Sequence, residues 1–168
     1  MSHLNHQKIM LLAAHGAEEE QVSQLQRAIL AASGKPATVS VEQGVINSWS
    51  GQSWGCSFPV DAHVSETLAM DYDMVIVPAG ERSIDKLLQN PHTERLLSSF
   101  MEAGKAIVVF GDAMRVLHET GVATHVSMPE TGVETFDNVL SVADASVENL
   151  GHVVTHMVQV QPVFAEAA

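Results

Sequence analysis

Short apolar runs alternate along this chain with stretches in which apolar residues recur every three or four positions, the pattern of strands feeding helices. The run from Ile9 to Ala14 is apolar on both faces and ends at Gly16, which predicts a central parallel strand. From Glu18 the period changes. Val22, Leu25, Ile29 and Ala32 form one stripe, and Gly34 stands where a helix C-cap is predicted. Ala37 to Val41 and Met74 to Val77 read as further strands, the latter stopped by Pro78-Ala79-Gly80. Between them, Gly44 to Asp61 is rich in Gly, Ser and Trp, and predicts a hairpin or irregular excursion.

The same alternation continues. Arg82 to Gln89 and Pro91 to Ala103 predict helices, Leu96, Leu97, Phe100 and Met101 making one stripe before Gly104. Ala106 to Phe110 predicts a buried strand, Asp112 to Thr120 a helix closed by Gly121, and Ala123 to Val126 and Val139 to Val142 two weaker strands. A final helix from Ser146 to about Gln159 turns Val147, Leu150, Val153, Val154 and Met157 toward the core. This order predicts an α/β fold: a three-layer α/β/α sandwich, flavodoxin-like or Rossmann-like, with a mostly parallel sheet and helices on both faces. Ligands on such sheets bind at the carboxyl ends of strands, so the loops after Ala14, Val77 and Phe110 are the places to look.

The length of 168 residues predicts one domain over 1–168, with 162–168 as a flexible tail. Hydrophobic residues at 46% and charged residues at 17% exclude a disordered chain, and no apolar run is long enough for a membrane span. A net charge of −12 repels a phosphate backbone, so nucleic acid is not an expected partner. No signal-peptide core is present, and the expectation is a cytoplasmic protein. The single cysteine, Cys56, forms no internal disulfide and builds no multi-thiolate metal site.

Taken together, Lys8-Ile-Met-Leu-Leu-Ala-Ala-His-Gly-Ala-Glu-Glu-Glu-Gln21, Tyr72-Asp-Met-Val-Ile-Val-Pro-Ala-Gly80, Gly104-Lys-Ala-Ile-Val-Val-Phe-Gly-Asp-Ala-Met-Arg-Val-Leu117 and Thr124-His125 resemble the ThiJ/PfpI family of the class I glutamine-amidotransferase-like superfamily. The resemblance runs from Lys8 to about Met157. It implies a cysteine on the sharp turn between strand and helix, where the positive end of the helix dipole lowers the thiol pKa. Here Gly111 stands at that elbow, followed by Asp112 and Ala113. The acid that supports the family cysteine falls at Gln21, an amide that neither accepts nor releases a proton at neutral pH. Pro78-Ala79-Gly80 replaces Pro-Gly-Gly, whose backbone N–H groups are retained for an anion-binding nest. The ligand pocket implied by the resemblance is therefore Gln21, Ala79, Gly80, Gly111, Asp112 and Ala113.

Each remaining candidate has a plainer reading beside it. Asp112 is a general base or nucleophile in an altered site, or, more simply, the N-cap of its own helix. His15 and His125 form an acid/base pair with Asp112, or bond only backbone and water. Glu18, Glu19 and Glu20 suit a helix start electrostatically. His152 and His156 have a chelating spacing, yet Val153 replaces the glutamate of the metalloprotease pattern and a solvated face is the better expectation. Cys56 is a buried small hydrophobe or a redox-sensing thiol. Trp49 and Trp54 are core residues or an oligomer contact, and the family resemblance implies a homodimer.

The functional expectation is a protein that has lost the cysteine-dependent hydrolase or lyase chemistry and acts as a small-molecule-binding, regulatory or stress-related protein, with no metal and no cofactor. The first alternative is an enzyme, a hydrolase, amidase or glyoxal-processing catalyst, that relocates its mechanism to Asp112 with His15 or His125. A second is redox sensing through Cys56.

Overall fold

The computed structural model describes residues 7–144, 146 and 149–153. Among them a seven-stranded sheet runs in the order β5-β2-β1-β6-β7-β9-β8, built from β1 (Lys8–Leu12), β2 (Lys35–Ser40), β5 (Ala62–His63), β6 (Met74–Val77), β7 (Ala106–Phe110), β8 (Val133–Phe136) and β9 (Val139–Val142). Its pairs are parallel except β8 with β9. A two-stranded hairpin of β3 (Val45–Trp49) and β4 (Trp54–Pro59) stands apart from it. The helices are α1 (Glu19–Ala31), α2 (Glu81–Leu88), α3 (Pro91–Glu102) and α4 (Arg115–His118).

Alternation within the strands divides the core into two. Met10, Leu12, Val75, Val77, Ile107 and Val109 pack with Ile84 and Leu87 of α2, Leu96, Leu97 and Phe100 of α3, and Val116 and Leu117 of α4. Ile9, Leu11, Ile76 and Val108 point the other way, onto Leu25 and Ile29 of α1 and onto Leu150 and Val153. Both faces of the central strands are covered, which is why they read as unbroken apolar runs. The fold is the expected mostly parallel α/β sheet with helices on both faces.

Several boundaries differ from expectation. Ala123–Val126 is not a strand: Ala123 and Val126 are buried in the core from a loop, and the Ala123 N–H donates to the Leu117 carbonyl. Two strands of the sheet were not expected: β5, and β8, which is joined to β9 across Asp137-Asn138, where Asp137 takes a left-handed φ of 53°. The helix placed at 112–120 begins as a 3-10 turn over Gly111–Met114 and becomes α4 only at Arg115. The left-handed residue that ends α1 is Ser33, with Gly34 N–H returning to the Ile29 carbonyl, so the cap lies one residue earlier than Gly34. The excursion over 44–61 contains the β3–β4 hairpin. The rest of the final helix, including Val147, Val154, His156 and Met157, and the tail 162–168 lie outside the described residues.

The order β1-β6-β7 puts three carboxyl ends side by side. The loops that follow them are therefore neighbours, and they build the site.

Candidate functional site at the strand ends

Two glycines set the distance between the first two loops. A Cβ on Gly80, whose φ is 138°, would run into the Gly16 carbonyl oxygen and come within 2.9 Å of the Ala17 Cα. One on Gly16, at φ 99°, would strike the Arg82 side chain. Both positions combine a left-handed backbone with close backbone approach, a demand that only glycine meets.

This close contact lets the loops exchange hydrogen bonds. The Glu18 N–H donates to the Ala79 carbonyl at 3.0 Å, and the Ala79 N–H donates to Gln21 Oε1 at 2.8 Å. Gln21 lies buried in the first turn of α1. The next donor, the Gly80 N–H, goes to Asp112 Oδ1 at 3.0 Å. The two N–H groups expected to form an open nest are thus both taken by side chains of the same chain.

At the elbow, Gly111 has a φ of 53°, and a Cβ there would stand 3.5 Å from the Ala79 Cβ, ordinary van der Waals contact. There is space for a side chain, but the residue contributes none. Ala113 beside it is buried. The structure gathers Gln21 with Ala79, Gly80 with Asp112, and Gly111 with Ala79.

Asp112 does not cap its own helix. It is the second residue of the 3-10 turn Gly111–Met114, and its carboxylate reaches back to the start of α2. Phe110 is extended, Gly111 is left-handed and the turn is 3-10 rather than α-helical, and the carboxylate spans loops rather than folding onto its own turn. Arg115, one turn on, is committed to Asp85 at 3.0 Å and Glu119 at 2.6 Å. No ion pair among the described residues involves Asp112.

Glu18, read from the sequence only as helix-start charge, lies close enough to Asp112 to feel it. Desolvation first, then repulsion from Asp112 and Glu20, pushes its carboxyl above the usual glutamate value. The two histidines take other partners. His15 Nδ1 accepts the Asn47 N–H at 2.9 Å while Nε2 lies 3.3 Å from Glu42, which also pairs with Lys86. That geometry fixes the Nε2–H tautomer, since a backbone N–H needs a lone pair to receive it. His125 is exposed and meets Phe136 edge to face at 6.2 Å. His152 is exposed as well.

A second constellation lies on the hairpin side of α1. Cys56 is exposed rather than a buried small hydrophobe, because β4 is an outer strand with nearly every residue in solvent. Its N–H donates to Glu19 Oε2 at 2.9 Å, and its thiol lies 3.5 Å from Glu19 Oε1. The Ser48 hydroxyl also reaches Glu19, at 3.3 Å, and Gly55 leaves the room this carboxylate fills. The hydrogen bond to Glu19, then its charge, raises the Cys56 thiol pKa and keeps it protonated. Nearby, the Arg82 guanidinium lies 4.0 Å over the Trp49 ring and 6.0 Å from Trp54, the two indoles meeting edge to face at 5.3 Å. Trp54 remains exposed. Nothing in the residue pattern announced the Glu19–Cys56 or Arg82–Trp49 contacts, which join segments far apart in the chain.

Glu18, Glu19, Glu20, Arg27, Trp49 and Gly51 line a groove of about 640 Å³ between α1 and the hairpin. That volume falls in the range of small-molecule sites. Glu18 thus stands between the groove and the elbow.

Comparison with known proteins agrees with this architecture. No curated protein matches the sequence. A domain of a two-domain protein from Anabaena variabilis, with DJ-1/ThiJ/PfpI-like and ferritin-like domains, superposes with a TM-score of 0.79 at 17% identity. That match covers 91% of this chain and 47% of the other, so the chain spans about half the length of the Anabaena protein. Drosophila melanogaster DJ-1beta gives a TM-score of 0.75 at 18% identity, covering 94% of this chain and 91% of its own. A Cys-to-Ala mutant of a DJ-1 superfamily protein from Salmonella typhimurium gives 0.70 at 20% identity, covering 96% and 91%. These likenesses carry the fold. The sequence itself matches the DJ-1/PfpI family over residues 7–163, and the chain belongs to that family.

Proposed function

We propose that this protein is a DJ-1/PfpI-family member without the cysteine-dependent hydrolase or lyase chemistry, acting as a small-molecule-binding or regulatory protein. One observation carries the reading: the elbow residue is Gly111, and both neighbouring loop donors are satisfied from within, Ala79 N–H by Gln21 and Gly80 N–H by Asp112. A nucleophile needs an ionisable group and an activating base within reach, and a tetrahedral intermediate needs free donors aimed at the developing oxyanion. Gly111 brings no nucleophilic side chain to the elbow, and neither of these two loop donors is free. The thiol that does exist, Cys56, sits on the hairpin beside a carboxylate that opposes its ionisation.

The adjoining groove supports the binding half of the reading. It combines three carboxylates, one guanidinium and an indole, a mixed polar and aromatic lining suited to a small polar ligand.

The test is a turnover assay of purified protein against amide, peptide and α-oxoaldehyde substrates. The expected result is background rates for the native chain. Turnover that disappears in Asp112→Asn or His125→Ala overturns the reading in favour of a relocated mechanism.

A further inference from the structure

The hydrogen bond between Asp112 and Gly80 has a meaning beyond lost catalysis. Gly80 is the N-cap residue of α2, and its N–H is the donor that Asp112 engages from the turn after β7. The accepting atom is a carboxylate oxygen, Asp112 Oδ1, 3.0 Å from the donor. No ion pair among the described residues involves it: Arg115 is spent on Asp85 and Glu119, and Glu18, which feels the Asp112 charge, is negative. A side chain so placed gains the donor against like-charge repulsion, and its presence takes the Gly80 N–H from an incoming anion.

We propose that Asp112 is a built-in carboxylate ligand of the 78–80 loop, an autoinhibitory contact that shuts small carboxylate-bearing molecules out of the elbow. The contact rests on the reading that the elbow is catalytically silent only in sharing its geometry; it concerns occupancy, not turnover. The lock has two parts that are separable by substitution. Asparagine keeps an oxygen that accepts the Gly80 N–H while removing the charge, whereas alanine removes both.

The experiment follows the Gly80 amide by ¹H–¹⁵N NMR in the full chain during titration with sodium acetate, against sodium chloride at matched ionic strength. The native protein and Asp112→Asn are expected to show no saturable shift at Gly80. Asp112→Ala is expected to show one. A cooperative thermal transition establishes that the alanine variant is folded, and Asp112→Ser, too short to reach the donor, serves in its place if it is not. Equal acetate response in native and Asp112→Ala protein overturns the proposal, as does a folded alanine or serine variant with no saturable response. A response in Asp112→Asn matching that of alanine also overturns it, because exclusion would then come from charge and not from occupancy. Turnover by the native protein would sink the silent-elbow reading and leave these titrations unaffected.

Discussion

The elbow and the hairpin each hold half of what cysteine chemistry requires. The elbow has the backbone: a left-handed turn at Gly111, close loops, and donors at the end of three parallel strands. It lacks the sulfur, and its Ala79 and Gly80 donors are occupied. The hairpin has the sulfur and a neighbouring carboxylate, Cys56 and Glu19, but on an exposed outer strand where the carboxylate holds the thiol protonated. The residue types alone do not make a site; a thiol becomes a nucleophile only where its surroundings favour the thiolate.

The largest expected effect breaks the elbow's framework. Gly80→Ala forces a Cβ against the Gly16 carbonyl at a φ of 138° and should cost about 2–5 kcal/mol, the sum of backbone strain and overpacking, read by urea denaturation. An unchanged midpoint would mean that the two loops are not held as closely as described. The hairpin half is sharpened by Glu19→Gln, which removes the charge beside the thiol. Alkylation of Cys56 by iodoacetamide at neutral pH should become severalfold faster, since the fraction of thiolate rises when the carboxylate is gone.

The smallest effect lies where the two regions meet. Glu18 has a folded-state pKa raised above its unfolded one, so the stability it lends is full at acid pH and is lost as the pH rises through the folded value. Glu18→Gln should therefore be slightly more stable than the native protein at pH 7, by an amount that shrinks with added salt and vanishes below about pH 4. Thermal melts across that range check the sign.

The long central strands were legible because both faces are buried, and α1 to α3 because their apolar stripes recur at helical spacing. Two short elements were not. β5 has two residues, too few for any period, and β8 carries Glu134 and Thr135 exposed at the sheet edge, while Ala123 and Val126 bury themselves from a loop and imitate a strand. At the site, the glycine at 111 and the amide at 21 were readable as replacements. Their partners were not: Gln21 and Ala79 are 58 positions apart, Asp112 and Gly80 are 32 apart, and Cys56 meets Glu19 across 37. Local preference favoured a helix cap for Asp112 and burial for Cys56. Tertiary placement overrode both, by bringing the α2 donor within reach of the first and by laying the second on an outer strand.

The claim beneath the whole account is that the elbow's two loop donors are engaged from within. Hydrogen exchange of the Ala79 and Gly80 amides measures it directly. Both should be strongly protected in the native protein, with Gln21→Ala releasing Ala79 and Asp112→Ala releasing Gly80. Exchange of both amides in the native protein at the rate of an unprotected loop would contradict it.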